Sequence, residues 1–424
     1  MRARLTFARF MEQALYGPAG YYRQTTHPAG RPHGYLTSPA VHPLFGALLA
    51  RQIEEVWRRL DAPESFVVVE AGCGSGLLAR DFCAWVQQSG QRKFARALRY
   101  VALDRASSFD LLRLRVPSPI LGEGEGEGPA PVRAAGLPLR PFTGCILANE
   151  LWDNLPVHRL VRRRNAPQEI YVVLNGQQWE EVEGEASPEV LAALAEAGVE
   201  AVEGQEVEVR PALGFWFREA AAALVRGLVL SIDFGYWRGA ASGTGRTLAT
   251  YGEHVRETDP YAAVGKVDIT AAVDLGVAVV QARQAGLTPL GLTSQAAFLE
   301  RLGLPAALRA LDGLGLGPAA ARLANRAALR ELVRPEGLGA HFVLALGKGF
   351  SGPPLAGFGG SQAEAGQPDG WLEPLPLLDG ERLGVLAARY PHWALEVGDL
   401  WGRDEEGCRV PEPQHPSEPS RAAG

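Results

Sequence analysis

Three glycines at alternate positions follow an acid at the end of an apolar run. In VVVEAGCGSGLLARDF, residues 67–82, Glu70 ends the run, and Gly72, Gly74 and Gly76 allow a sharp turn into a helix with bare backbone facing a ligand. The dinucleotide fingerprint would place the third glycine one residue later. A carboxylate at Glu70 repels a pyrophosphate and attracts an ammonium group. The pattern therefore favours S-adenosylmethionine, which carries an amino group and a sulfonium but no phosphate, over a nicotinamide cofactor.

A second acid, Asp104, ends the next apolar run, RYVALD. A carboxylate at a strand end can accept hydrogen bonds from both hydroxyls of a ribose. A glycine-rich segment of this kind can also be only a tight turn, and its acid only a helix cap. Two acids at consecutive strand ends favour the cofactor site.

An amide and two further carboxylates follow the third run. In ILANELWDNLPVHR, residues 146–159, these are Asn149, Glu150 and Asp153. Methyl transfer depends mainly on holding the nucleophile in line with the sulfonium, away from water. An arginine nucleophile, with a pKa above about 12, needs carboxylates that clamp the guanidinium and stabilise charge as its proton leaves. We predict Glu150 and Asp153 as catalytic residues and Asn149 as a cofactor-binding residue. The alternative is that the acids cap a helix that Pro156 interrupts.

Six apolar, β-rich runs must position these residues. Because they are apolar at consecutive positions, we expect strands covered on both faces and a doubly wound, mostly parallel α/β sheet. The runs are residues 66–69, 100–103, 145–148, 228–232, 287–292 and 342–346.

Composition shifts along the chain predict its organisation. Residues 1–60 are expected to form an N-terminal helical cap and residues 61–350 the catalytic domain, followed by a Gly/Pro-rich C-terminal extension, 351–424. Residues 117–131 (PSPILGEGEGEGPAP) form a low-complexity insert. Two long excursions, 151–226 and 295–334, are interpreted as substrate-site insertions. The first contains a predicted hairpin with an Asn175-Gly176 turn and a helix over 188–197.

The composition argues against several other classes of protein. The formal net charge is −6, and the one dense basic cluster, residues 162–164, lacks interleaved aromatic residues, so a nucleic-acid site is not expected. The four cysteines show no metal or disulfide spacing. No apolar run approaches the ~20 residues that cross a bilayer, and residues 1–10 lack the apolar core of a secretory signal. We therefore expect no metal and no membrane insertion.

The chain resembles the MidA-like family of class I S-adenosylmethionine-dependent methyltransferases. Mitochondrial members of that family assist assembly of respiratory complex I by methylating an arginine of a core subunit. The resemblance covers nearly all of residues 10–349. It is carried by the motifs FMEQALYGPAGYY, GYLTSPAVHPLFGALLARQ, VEAGCGSGLLARDF, NELWDNLPVHR, LSIDFGYW, GKVDITAAVD, AGLTPLGLTSQAAFL and LGAHFVLALGKG.

The resemblance implies a seven-stranded Rossmann-like sheet and a role for each matching residue. Glu70 and the three glycines would line the methionine end of the cofactor, with Asp104 on the ribose. Further implied residues are Thr37, Ser38 and Pro39 closing over the cofactor, Asn149, Glu150 and Asp153 bordering the acceptor, and Asp233, Tyr236 and Asp268 lining the substrate cleft. Each of the last three can equally be a turn residue or a satisfied buried acid.

Departures from the family pattern leave a second hypothesis open. Tyr35, Ala40 and Ala272 stand where relatives carry Asp, Glu and His. These losses favour a cofactor-binding assembly factor or pseudoenzyme, whereas the intact acids favour an enzyme. A small-molecule methyltransferase, with a narrow closed acceptor pocket, is a third hypothesis. Two histidines are candidates for a general base. His158 is expected to be packed or hydrogen-bonded, and His254 to lie in a loop.

The expected partner is a protein substrate, with a subunit of respiratory complex I, the NADH dehydrogenase, as the candidate. The family-like core begins about ten residues from Met1. We therefore expect a bacterial cytoplasmic location rather than the mitochondrial matrix.

Overall fold

The structure is a computed structural model, and the residues that it describes are 4–23, 36–105, 131–134, 140–164, 166–198, 202–237, 247–252, 255–257, 259–313, 319–360 and 375–389. The strands are β1 (Leu5–Thr6), β2 (Phe66–Ala71), β3 (Leu98–Leu103), β4 (Val132–Ala134), β5 (Phe142–Asn149), β6 (His158–Arg162), β7 (Pro167–Asn175), β8 (Gln178–Glu185), β9 (Glu206–Val209), β10 (Leu224–Asp233), β11 (Gly235–Tyr236), β12 (Ala249–Gly252), β13 (Val255–Glu257), β14 (Asp268–Thr270), β15 (Val273–Asp274), β16 (Thr288–Ser294) and β17 (Phe342–Lys348). The helices are α1 (Phe7–Tyr16), α2 (Ser38–Val41), α3 (Leu44–Arg59), α4 (Leu77–Gln88), α5 (Arg92–Ala97), α6 (Pro188–Glu196), α7 (Pro211–Ala223), α8 (Leu275–Gln284), α9 (Gln295–Leu302), α10 (Leu304–Gly313), α11 (Ala319–Glu331) and α12 (Gly380–Arg389).

The main sheet has seven strands in the order β16-β17-β10-β5-β2-β3-β4. All six predicted runs are strands of this sheet. The five strands from β4 to β10 are parallel, but β17 runs antiparallel to both of its neighbours. The sheet is therefore mixed. The chain leaves the sheet at the end of β16, passes through α9, α10 and α11, and returns at the start of β17. These two points are adjacent, because the Gln295 N–H donates to the His341 carbonyl at 2.7 Å. Strand β17 therefore runs in the opposite direction to β16.

Apolar side chains pack on both faces of this sheet, because neighbouring residues of a strand point to opposite faces. Val68 belongs to a core formed with α3, α4 and the helices after β16, whereas Val69 belongs to a second core formed with α7 and α8. This two-sided burial explains why the strand runs are apolar at consecutive positions.

A second, antiparallel sheet is built from the first long excursion. Its order is β1-β7-β6-β9, with β8 paired to β7. The predicted hairpin is confirmed, but its turn lies one residue later than expected: Asn175 ends β7 and pairs with Gln178, so the loop is residues 176–177. Gly176, in this loop, has a left-handed φ of +65°. The predicted helix is α6, which begins at its N-cap Ser187 with Pro188 in its first turn.

The described part of residues 1–60 adds one strand to the second sheet and a helix to the layer on the main sheet. Strand β1 pairs with β7, and α1 buries Phe7 and Phe10 in a core that includes Val172 of the second sheet. Helix α3 instead packs against α4 of the main sheet. The described N-terminal residues therefore pack on the second sheet through β1 and α1 and on the helix layer of the main sheet through α3.

The described part of the C-terminal extension, residues 375–389, lies on the main core. Leu375, Leu378, Leu383 and Leu386 are buried there. The aromatic residues Trp371, Tyr390, Trp393 and Trp401, and residues 117–130 of the low-complexity insert, lie outside the described residues. Within the ranges given above, no helix is long and apolar enough to span a membrane.

Candidate active site

A cavity of about 580 Å³ opens at the carboxyl ends of β2, β3 and β5. Its volume lies within the range of roughly 300–1,000 Å³ that is usual for ligand pockets. Its lining combines the glycine loop, acids, aromatic side chains and the start of α7. The predicted residues that line it are Thr37, Pro39, Glu70, Gly72, Gly74, Asp104, Asn149 and Glu150.

The glycine loop is tied to the neighbouring strand. Gly72, Gly74 and Gly76 have φ values of +73°, +51° and +78°, which side-chain-bearing residues rarely adopt. The amides of Gly72 and Cys73 donate to the Leu103 carbonyl, each at 2.9 Å. A Cβ at Gly72 would lie 2.9 Å from Cδ1 of Leu151. The glycines are therefore required by the turn and by close packing.

Asp104 closes this loop from the end of β3. Its Oδ2 accepts a hydrogen bond from the amide of Gly74 at 2.8 Å, and the residue lines the cavity. Gly76 is the N-cap of α4 and does not line the cavity. Hydrogen bonds thus join the segments that follow β2 and β3.

Glu70 lies at the floor of the cavity and is only 3% exposed. Burial raises the pKa of its carboxyl to about 8; the charge of Asp104 adds to the rise, and the hydrogen bond from the Tyr100 hydroxyl opposes it. That hydroxyl donates to Oε2 at 2.8 Å. At neutral pH the group is mostly protonated until a cation favours its ionised form.

Glu150 begins the turn after β5 with a strained backbone. Its φ of +49° is unusual for a residue other than glycine and costs on the order of 1–3 kcal/mol. The conformation is held because its amide donates to the Ile232 carbonyl at 2.8 Å. Oε1 lies 3.2 Å from both of its donors, the Ser38 amide and Nδ2 of Asn149. Burial raises the pKa of Glu150 to about 8, and the charge of Asp153 raises it further.

Asn149 has a buried atom suited to a ligand. Its Oδ1 has no hydrogen-bond partner among the described residues, although the side chain lines the cavity. A buried acceptor of this kind is costly unless a donor reaches it. A ligand N–H that reached this oxygen would satisfy it.

Asp153 and Asp233 lie behind the cavity wall, and neither lines the cavity. Oδ2 of Asp233 accepts from the amides of Leu151 and Trp152 at 3.1 and 2.7 Å, and Oδ1 accepts from the amide of Phe234 at 2.8 Å. Burial raises the pKa of Asp233 well above its usual range, and the charge of Asp153 adds to this. Asp233 is thus a satisfied buried acid that holds the turn after β5.

Asp268 also lies behind the wall, beneath two residues that line the cavity. The Tyr22 hydroxyl and Nδ2 of Asn154 donate to its Oδ1 at 2.9 and 3.0 Å. Burial and the charge of Asp153 raise its pKa to about 7. Tyr22 and Asn154 lie within the motifs ALYGPAGYY and NELWDNLPVHR, but no spacing in either motif indicated that they meet.

One wall of the cavity holds a guanidinium from the chain itself. The Arg105 Cζ lies 4.7 Å from the ring centre of Tyr16, and its Nη2 lies 2.6 Å from Oε1 of Glu12. Tyr16 also stacks on Tyr22, with ring centres 5.5 Å apart. The described lining carries the acids Glu12, Glu70, Asp104, Glu150 and Glu219 but only one basic residue, Arg105. The cavity is therefore suited to a cationic acceptor.

The remaining predicted residues lie elsewhere. Ser38 is buried outside the lining, and its Oγ donates to Oε1 of Gln295 at 3.0 Å. Tyr236 lines a separate small cavity together with Ala272, so the departure at Ala272 does not touch the main cavity. Nδ1 of His158 lies 2.7 Å from Oε1 of Glu169 in the second sheet. His254 and Tyr35 lie outside the described residues, and Ala40 is buried in α2.

Known proteins are similar to this chain in sequence and in fold. A model of the S-adenosyl-L-methionine-dependent methyltransferase family matches residues 48–293, more than half of the chain. Protein arginine methyltransferase NDUFAF7, mitochondrial, is 26% identical in mouse and 27% in human, over 72% of this chain and 72% of each relative. A crystal structure of a methyltransferase candidate from Burkholderia thailandensis with bound S-adenosyl-homocysteine is 26% identical and has a TM-score of 0.71. The match covers 84% of this chain and 90% of that one.

The chain belongs to this methyltransferase family, and the resemblance seen in its motifs is confirmed. It is a methyltransferase that uses S-adenosyl-L-methionine.

Proposed function

We propose that this family member transfers a methyl group from S-adenosylmethionine to an arginine of a partner protein, on the doubly wound Rossmann-like sheet of class I methyltransferases. The observation that carries the proposal is Glu150, a buried carboxyl on a strained turn that faces an acid-rich cavity. The mouse and human relatives, named protein arginine methyltransferases, support it.

The residues around the glycine loop would hold the cofactor. Gly72 and Gly74 present backbone without side chains, Glu70 would pair with the amino group, and Asp104 would accept from the ribose. Asn149 would use its unpartnered Oδ1, with Thr37 and Pro39 closing the site. Gly76 would act by shaping the turn into α4, and Ser38 by its hydrogen bond to Glu150. The bound cofactor supplies a methyl group on a positively charged sulfur.

Glu150 would hold the acceptor and take its proton. An arginine nitrogen forms its bond to the methyl carbon as the carbon–sulfur bond breaks, and a proton leaves that nitrogen. The Glu150 carboxylate can pair with the guanidinium first and accept this proton afterwards. The amide of Ser38 and the side chain of Asn149 fix the direction of its Oε1.

The acids behind the wall would act through the residues in front of them. The charge of Asp153 raises the pKa of Glu150, which makes Glu150 a better proton acceptor. Asp268 orients Tyr22 and Asn154. We accordingly assign Asp153, Asp233 and Asp268 as positioning residues. Tyr236 lines the separate small cavity with Ala272, so a substrate contact there would need a larger opening of the protein.

The cavity wall formed by Tyr16 and Glu12 favours a guanidinium over other methyl acceptors. Arg105 shows that Tyr16 and Glu12 together hold a guanidinium, by stacking and by an ion pair. A subunit of the respiratory NADH dehydrogenase in a bacterial cytoplasm remains the candidate partner and location, on the strength of the family resemblance. Comparing methylated arginines in cells with and without the gene would identify the acceptor.

A single-turnover assay tests the proposal. Protein loaded with S-adenosylmethionine carrying a labelled methyl group is mixed with extract from cells that lack the gene. Label is expected on an arginine of one protein, and the Glu150→Gln variant should leave it on the cofactor. Cofactor binding without transfer by the wild type would instead favour an assembly factor without turnover. Label on a small molecule would favour the third hypothesis.

A further inference from the structure

The C-terminal extension reaches the cofactor side of the cavity through one buried arginine. Arg382 lies in α12 and is 1% exposed. Its Nε and Nη2 both donate to the Pro39 carbonyl, at 2.9 and 2.8 Å. Pro39 belongs to α2 and lines the cavity. Residues more than 340 positions apart in the chain thus meet at the site.

The same guanidinium is neutralised by acids from two directions. Nη2 of Arg382 pairs with Asp81 of α4, and its Nη1 lies 2.6 Å from Oδ2 of Asp379. Asp379 also accepts from Nη2 of Arg80 at 2.7 Å. Because α4 follows the glycine loop, Arg382 connects the loop's helix to α2. Removing it would leave Asp81 and the Pro39 carbonyl buried without this donor.

A second connection joins the extension to α2. Oδ1 of Asn325, in α11, accepts from the Leu378 amide at 2.9 Å and lies 3.1 Å from Nε2 of His42, directly after α2. Nδ1 of His42 accepts from the Leu44 amide at 3.0 Å, so Nε2 carries the proton and donates to Asn325. Burial lowers the pKa of His42 to about 3, which keeps this ring neutral.

We propose that residues 375–389 form a C-terminal strap in which Arg382 is a positioning residue that holds α2 over the cavity and thereby sets the affinity for S-adenosylmethionine. Helix α2 has only four residues, and its hydrogen bonds to Glu150 and Gln295 both come from its first residue, Ser38. Without Arg382, fewer contacts hold α2 before the cofactor binds, so ordering α2 at that moment costs more conformational entropy. The inference rests on the proposed placement of Thr37 and Pro39 over the cofactor.

Calorimetric titration of the full-length protein with S-adenosylmethionine tests this role. Arg382→Ala is expected to raise the Kd about tenfold or more, and Arg382→Lys, which keeps the charge but not the paired donors to Pro39, by about threefold. At saturating cofactor, the rate of methyl transfer should change by a smaller factor than the Kd does. Asp379→Asn, at a partly exposed position, gives a milder variant in case Arg382→Ala does not fold.

Two controls separate positioning from general destabilisation. Phe94→Leu removes volume from α5, where Phe94 packs on Phe66 at the start of β2, the end of that strand opposite the cavity; it should lower the Tm without changing the Kd. Arg326→Gln removes a surface arginine paired with Asp312 and should change neither. The proposed role of the strap would be overturned if Arg382→Lys and Asp379→Asn both bound the cofactor with the wild-type Kd. It would also be overturned if the Arg382 variants changed the Kd no more than Phe94→Leu does at equal Tm. If the wild type itself does not bind the cofactor, the proposed cofactor site is wrong instead.

Discussion

Glu70 and Glu150 follow similar sequence patterns but have different surroundings. Both lie at the carboxyl ends of the adjacent parallel strands β2 and β5, and burial raises the pKa of each to about 8. Glu70 has ordinary strand geometry and accepts from the Tyr100 hydroxyl. Glu150 has a left-handed φ and accepts from the Ser38 amide. The two pKa values are raised to a similar extent, but the hydrogen-bond partners and the backbone direct the two carboxyls differently.

The largest expected effect is on methyl transfer and comes from Glu150, whereas Glu70 is expected to affect cofactor binding. Glu150→Gln keeps the shape of the side chain but removes the proton acceptor, so the rate of methyl transfer should fall by roughly 10²–10⁴-fold. The Kd for S-adenosylmethionine should stay within about threefold, since the cofactor is held mainly by the glycine loop. Single-turnover transfer and calorimetry measure the two quantities. A large change in Kd with a preserved rate would reverse the assignment.

The pH dependence of transfer is expected to report Glu150. Because its pKa is raised to about 8, the carboxylate predominates only above that pH. At saturating cofactor and limiting acceptor, the rate should fall about tenfold per pH unit below about 8 and level off above it. Glu150→Gln should remove this slope from the residual rate. A wild-type profile that is flat between pH 6 and 8 would contradict the role.

Glu70→Gln should affect cofactor binding instead. Loss of the carboxylate removes the ion pair proposed with the amino group, and the Kd should rise about tenfold. The rate at saturating cofactor should stay within about threefold of the wild type. In the wild type, affinity should increase with pH up to about 8, as Glu70 loses its proton. Calorimetry at pH 6, 7 and 8, with Glu70→Gln as the pH-insensitive control, measures this.

The smallest expected effect concerns Tyr100, whose hydroxyl donates to Glu70 and not to Glu150. Its hydrogen bond lowers the pKa of Glu70, so Tyr100→Phe should raise that pKa above about 8. Fewer Glu70 side chains are then ionised at pH 8, and the Kd should rise about threefold. The loss should shrink near pH 10, where Glu70 is ionised in both proteins. A loss that is constant with pH would indicate altered packing.

Much of the cofactor side could be predicted from the sequence, because it follows local rules. Apolar runs predicted six strands of the main sheet, and each acid at a run's end lies at the same edge of that sheet. The run for β4 was missed because only three residues pair there, beyond the Gly/Glu insert. The reversed direction of β17 was also missed, since direction depends on where a helical excursion re-enters the sheet.

The acceptor side was less predictable. Asp153, Asp233 and Asp268 were expected near the acceptor, yet the structure places them behind the wall, where backbone amides, Tyr22 and Asn154 satisfy Asp233 and Asp268. No local pattern indicates to which side of a turn a carboxylate points. The domain boundaries at residues 60 and 350 and the roles of the individual site residues stay predictions.

The sequence by itself indicated the family through the resemblance of its motifs, the cofactor through the glycine turn and its acids, and the strand ends through apolar periodicity. Each of these is a pattern of neighbouring residues. The tertiary structure alone decided which acids face the cavity. It also decided that Tyr22 contacts Asp268 and that Arg382 contacts Pro39, in each case across more than 240 positions of the chain. Such contacts depend on how separate elements pack, and the free energy of that packing is not encoded in any single segment.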